Sequence, residues 1–213
     1  MSGLPPLPSP GGYERAYAES YDLAFNKLRQ ADLADVCLKS GAVPVDTDTV
    51  RLRFLNQDYR IDRLPGTVTL GSEAEPLPIA ERLLILHYLV TAGGTPPGNG
   101  QISFKEVPEG VVYYPTFYKR AIRPLLTKFG AAPAELIPAA AALFGGVDAH
   151  QGDAAVTVQA FPKVAVTWVL WRGDDEFPAE GTILVDRNIQ DYLPTEDIVV
   201  LCQTIAVKLC RVV

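Results

Sequence analysis

The run Ile79–Thr91, Ile-Ala-Glu-Arg-Leu-Leu-Ile-Leu-His-Tyr-Leu-Val-Thr, most constrains how this chain can fold, because as a helix it is apolar on nearly every side. A helix with a single apolar stripe can lie on a surface, but this one has to be enclosed by other elements. Pro76 and Pro78 stand where a helix start tolerates proline, since first-turn N–H groups have no partner within the helix. The run is too short to span a bilayer, and Glu81, Arg82 and His87 make it too polar.

The rest of the chain supplies the enclosure. From Gly12 to about Ser40, Tyr13, Tyr17, Tyr21, Phe25 and Leu28 recur at spacings of three and four, predicting a helix that Gly41 stops. Val50–Phe54 and Tyr59–Ile61 alternate as strands around the turn residues Asn56-Gln57-Asp58, and Thr67–Leu70 extends the meander. After the central helix come a glycine loop (Gly93–Gly100), a short strand at Ile102–Phe104, a helix from Tyr114 through Lys128 ended by Gly130, and an alanine-rich helix over Pro133–Leu143. Strands at Ala155–Ala160, Val164–Trp171 and Thr182–Val185 follow, and Pro194 opens a last helix running to Arg211. Strands in two groups with helices between and after them define an α+β fold with antiparallel sheets, a central buried helix at about 78–91 and a C-terminal helix at about 194–211.

A length of 213 residues with 48% apolar and 21% charged residues suits one globular unit with a full core. Met1–Gly12, rich in Pro and Gly, lacks the charged start and apolar core of a signal peptide and reads as a flexible arm. Residues 13–213 then form a single α+β domain, with the meander at 41–72 as a candidate sub-domain, and the expected location is cytoplasmic. A net charge of −6 argues against nucleic acid as a partner, and no segment calls for a membrane. Three cysteines, Cys37, Cys202 and Cys210, form no Cys-x-x-Cys pair for a zinc ribbon or iron–sulfur cluster.

Candidate chemistry concentrates late in the chain, where eight carboxylates lie between Asp174 and Asp197. Asp174-Asp175-Glu176 and Asp186 are suitable material for a hard cation, though the spacing fits no calcium loop, and Asp174 or Asp175 would equally bond the turn's own backbone. Glu196 and Asp197 sit where a helix dipole favours negative charge. Trp168 and Trp171 point to opposite faces of one strand, one into the core and the other towards a pocket, an interface or a covering helix. Arg51, Arg53 and Arg60 would project together as an anion cluster or as the wet face of a sheet. Lys119, Arg120, Arg123 and Lys128 make one helix basic, which would complement the acidic turn within the fold or in a partner. His87, in the apolar helix, is a core histidine or a ligand, whereas His150 reads as loop. Gly98-x-Gly100 lacks the context of a nucleotide loop.

The runs Leu77–Leu89, Ile102–Gly110 and Trp171–Ala179, with Asp186 and Tyr192–Asp197, resemble a family of uncharacterised proteins of anaerobic bacteria and archaea, domain of unknown function 3786. The resemblance covers the chain from about residue 13 to its end. It implies a stand-alone module near the metal-cofactor or one-carbon metabolism of anaerobes, and it supplies no catalytic residues. Some members carry a four-cysteine iron–sulfur segment that this sequence does not show.

Three functions stand as expectations. The first is an accessory module holding a small ligand, metal or cofactor between the central helix and the late sheet, through Arg82, His87, Trp171, Asp174, Asp175, Glu176 and Asp186. The second is an enzyme that uses a carboxylate of the 174–186 turn, raised by burial beside Trp171, as general base. The third is a protein-interaction module that docks a partner through the arginine face or the acidic turn. Neither a cofactor nor a reaction follows from the residues alone.

Overall fold

Two antiparallel sheets and the helices share one apolar cluster, and the central helix runs through it. The computed structural model describes residues 10–71, 77–96 and 100–211; Pro76, Gly98 and the side chain of Tyr13 lie outside what it describes. In chain order the elements are α1 (Pro10–Gln30), α2 (Leu33–Ser40), β1 (Val43–Pro44), β2 (Thr49–Phe54), β3 (Gln57–Asp62), β4 (Thr67–Leu70) and α3 (Ile79–Thr91). Then follow β5 (Gln101–Ser103), α4 (Gly110–Phe117), α5 (Arg123–Phe129), α6 (Leu136–Phe144), β6 (Val147–Asp148), β7 (Ala154–Phe161), β8 (Val164–Trp171), β9 (Glu180–Asp186) and α7 (Thr195–Arg211). The first sheet has the order β1-β2-β3-β4 and the second β5-β9-β8-β7-β6, which makes the fold α+β.

Local chemistry moves several boundaries away from the sequence expectation. The helix expected over 12–40 is two helices. Asp32 leaves helical geometry and its side chain accepts the Ala34 N–H, capping α2, and Gly41 closes it in the left-handed region at φ 74°. α1 opens at Pro10, inside the span read as a flexible arm, of which residues 1–9 lie outside the described residues.

The first hairpin turns at Leu55–Asn56 and not at 56–58, with φ of 48° and 63°, so Gln57 and Asp58 belong to β3. Leu55 tolerates that backbone because its side chain is buried and its N–H donates to the Ala160 carbonyl, tying the first sheet to β7. The helix expected from Tyr114 starts at Gly110 and is interrupted by a π-helical turn over Tyr118–Ile122, where the Arg123 N–H reaches back to the Tyr118 carbonyl. Pro124 lacks an N–H for the next helical bond, so the wider turn relieves its ring of contact with the preceding turn.

α3 is as enclosed as its sequence requires. Leu83, Leu84, Ile85, Leu86, Tyr88 and Leu89 are all buried, and buried Glu81 pairs with Lys208 of α7 at 3.1 Å. Tyr88 is the joint of the fold. Its ring stacks on Phe161 of β7 at 4.1 Å, Phe161 stacks on Phe54 of β2 at 4.6 Å, and Tyr192 stacks on the Tyr88 ring from the chain segment before α7. The Tyr88 hydroxyl donates to the Ser40 carbonyl at 2.6 Å and accepts the Lys163 N–H. Burial pushes this phenol far above its ordinary pKa, which keeps the donating proton in place.

Candidate functional site

Trp171 and Glu180 close the β8–β9 ladder, and residues 172–179 form the corner beyond them. Strand alternation sends Val166, Trp168 and Leu170 into the core and leaves Trp171 on the opposite face, 42% exposed. The corner is held by backbone and one carboxylate. Asp174 Oδ1 accepts the N–H groups of Glu176 (2.9 Å) and Phe177 (2.7 Å), and the Asp174 N–H donates to the Phe177 carbonyl. Asp153 ties the corner to the start of β7 by accepting the Arg172 N–H. Asp174 is therefore a turn-building residue. Asp175 and Glu176 are exposed, with no ion pair among the described residues.

The N–H of Phe177, and next that of Glu176, hold the Asp174 carboxyl below the usual carboxylate range. A depressed folded value means that the turn is fully supported above the unfolded value of about 4 and loses support as pH falls through the folded value. The protection of the Glu176 and Phe177 amides, as exchange relative to an unstructured chain at the same pH, is therefore expected to fall on acidification, and Asp174→Ala should show the lower protection already at neutral pH. An Asp174 carboxyl that titrates by NMR at or above ordinary values would remove this role. The lowered value also runs against Asp174 as a general base raised by burial.

The corner carries an open cleft of about 350 Å3 lined by Trp171, Arg172, Phe177, Pro178 and Glu180. Two residues along the same face of β9, Thr182 belongs to a second, narrower cleft of about 190 Å3 with Lys105, Tyr114 and Phe117. Tyr114 links the two. Burial first, then the neighbouring Tyr118 and Glu180, push its phenol above the ordinary value, so Glu180 of the first cleft is an electrostatic neighbour of the second. The Lys105 ammonium lies 4.1 Å from the centroid of the Tyr114 ring. Together the two clefts make an aromatic surface between α4 and the β8–β9 corner, on which Glu180 stands with the cations Arg172 and Lys105.

The seven residues nominated by sequence do not meet. Trp171, Asp174, Asp175 and Glu176 share the corner, whereas Asp186 lies at the far end of β9, roughly 20 Å along the strand. There it accepts the Asn188 N–H at 2.8 Å as the chain turns towards α7. Arg82 places its guanidinium over the Tyr21 ring of α1, at 5.2 Å. His87 Nδ1 lies 2.7 Å from Asp197 Oδ2, linking α3 to the first turn of α7. That is the spacing of a base and an orienting carboxylate, but among the described residues no hydroxyl or thiol bonds to the ring. Between α3 and the late sheet, the place expected for a ligand, the Tyr88 ring stacks on Phe161.

The remaining candidates resolve individually. Arg60 pairs with Asp62 and Asp46, and Arg53 with Asp58 and Asn56, so the arginine face is largely neutralised within its own sheet. At the described start of the glycine loop the Gly93 N–H donates to the Asp191 carbonyl and the Tyr192 hydroxyl to the Thr95 carbonyl. Cys37 and Cys202 are buried and Cys210 half-buried, all as free thiols. Among the described residues no three His, Cys, Asp or Glu side chains converge as a metal site would need, and no helix is long and apolar enough to cross a membrane. Sequence reasoning passed over Phe177 and Tyr114. The available signal for Phe177 was a large aromatic inside an acidic, proline-containing turn, a position with no core to enter.

The fold defines a two-sheet α+β domain with open clefts at the end of the β8–β9 hairpin. The chain belongs to the family described as "Domain of unknown function (DUF3786)", whose model matches residues 32–208. No curated protein and no solved structure matches it.

Proposed function

We propose that this domain is a binding module whose working surface is the β8–β9 corner, and that its ligand is a cationic, partly apolar segment of a protein. The observation that carries the proposal is the pair of exposed aromatic residues, Trp171 and Phe177 at 67%, which line an open cleft with Glu180 and Arg172, the exposed carboxylates Asp175 and Glu176 preceding Phe177 in the same turn. Aromatic faces attract ammonium and guanidinium groups through the ring quadrupole, and nearby carboxylates add charge complementarity. Large exposed aromatics serve recognition more readily than solubility. The cleft is open, which suits a protein surface better than an enclosed small molecule. A cytoplasmic setting in anaerobic metabolism is part of this reading and rests on the family resemblance.

Tryptophan fluorescence gives the test, because Trp168 is buried and Trp171 is exposed. An arginine-rich hexapeptide is expected to shift and quench the Trp171 emission saturably. Glu180→Gln should weaken its binding, and Trp171→Ala, followed by calorimetry, should weaken it by about 2- to 30-fold, the range a cation–π contact spans. A hexapeptide that binds the Glu180→Gln and wild-type chains equally, or binds neither, would refute the proposal.

A further inference from the structure

We infer, building on the cationic-ligand reading of the corner, that its occupant is the exposed face of α4 and α5 in a second copy of this chain, in a two-fold dimer. Residues 110–134 hold four basic residues and no acidic one, in a chain whose net charge is −6. On that segment Val111 and Val112 are 69% and 79% exposed, and Tyr118, Lys119, Arg120 and Arg123 are exposed alongside them. Among the described residues none of these cations pairs with a carboxylate. The corner has the opposite composition, with exposed Phe177 next to the unpaired carboxylates Asp175 and Glu176. Both surfaces are partly apolar and their net charges oppose, since residues 171–180 hold four carboxylates against Arg172 alone.

Both surfaces belong to rigid elements lying side by side. Ala179 packs against Gly130 at the end of α5, and Gly181 against Leu126. One copy therefore cannot fold its corner onto its own helix face. A two-fold axis between the patches brings the corner of each copy onto the α4–α5 face of the other, so that every contact forms twice. An anionic membrane suits the helix face less well: three cations contribute about 1 kcal/mol each at such a surface, and the acidic corner beside them is repelled.

The test is the mass of the full-length chain in solution, by light scattering and sedimentation over concentration and salt. A dimer is expected at low salt, weakening at least 10-fold in affinity at high salt. The double variants Lys119→Glu/Arg123→Glu and Asp175→Lys/Glu176→Lys should each be monomeric. Mixed in equal amounts they should form a heterodimer, because both contacts regain opposite charges. A wild-type chain that stays monomeric to about 0.2 mM, a dimer indifferent to both charge reversals, or a monomer that binds phosphatidylserine vesicles overturns the inference. If that monomer still binds the arginine-rich hexapeptide at Trp171, the corner remains a binding site and only its occupant is wrong. If the hexapeptide fails but the dimer forms and the mixed variants pair, the docking stands and the free-peptide reading falls.

Discussion

Tyr88→Ala is expected to destabilise the protein by about 3–5 kcal/mol, which for a chain of this size lowers Tm by roughly 6–20 °C. Tyr88 is fully buried and touches each of the parts that must be held together. Its ring stacks on Phe161 of the second sheet and on Tyr192 before α7, and Phe161 carries the stack to Phe54 of the first sheet. Truncation opens a cavity among rigid aromatic neighbours that cannot close over it. It also strands the Ser40 carbonyl and the Lys163 N–H, both satisfied by the phenol hydroxyl. Tyr88→Phe separates the two contributions, since it keeps the stack and loses only the hydrogen bonds, at about 1–3 kcal/mol. Urea denaturation of the three proteins measures both. An alanine variant as stable as the phenylalanine variant would show that the stack does not join the sheets.

Gly110→Ala is expected to cost about 3 kcal/mol and, unlike the first change, to weaken the corner as well. A Cβ built on Gly110 would stand 1.9 Å from the Phe104 carbonyl oxygen, a backbone atom that cannot rotate away. The Gly110 N–H is also fixed, donating to the Val107 carbonyl at 2.8 Å. Accommodating the methyl group means moving the start of α4, and Tyr114 one turn later moves with it. The wall linking the two clefts therefore shifts, and hexapeptide binding at Trp171 should fall together with Tm. Val111→Ala at high salt, where the chain is expected to be monomeric, is the control: Val111 is adjacent but 69% exposed, so stability should change by less than about 0.5 kcal/mol. If Gly110→Ala leaves both Tm and binding unchanged, α4 is not clamped against residues 104–107.

The elements most readable in the sequence are those whose chemistry is local. The all-round apolar run at 79–91, the strict alternation of Val50–Phe54 and the proline-opened final helix each became the expected element within a residue or two. The boundaries that moved depend on contacts from elsewhere in the chain. Leu55 occupies the left-handed region because the core and the Ala160 carbonyl hold it there, and no propensity of leucine announces that. The two-residue strands β1 and β6 exist only through their neighbours β2 and β7.

The candidate site divides in the same way. The opposite faces of Trp168 and Trp171, and the suitability of Asp174 for bonding its own turn, follow from strand periodicity and side-chain length, and the sequence alone determined them. Whether Asp186, His87 and Arg82 would join the corner was beyond it, because residues 82 and 174 can be neighbours or lie at opposite ends under the same local pattern. Tertiary packing decided that. It stacked Tyr88 of α3 on Phe161, paired His87 with Asp197 and set Asp186 at the far end of β9. It also placed the basic stretch at 119–128 beside the acidic corner, and among the described residues no ion pair joins the two. The physical reason is the range of the forces involved. Turn and strand preferences act over a few residues, while burial and charge pairing act between whichever surfaces the core brings together.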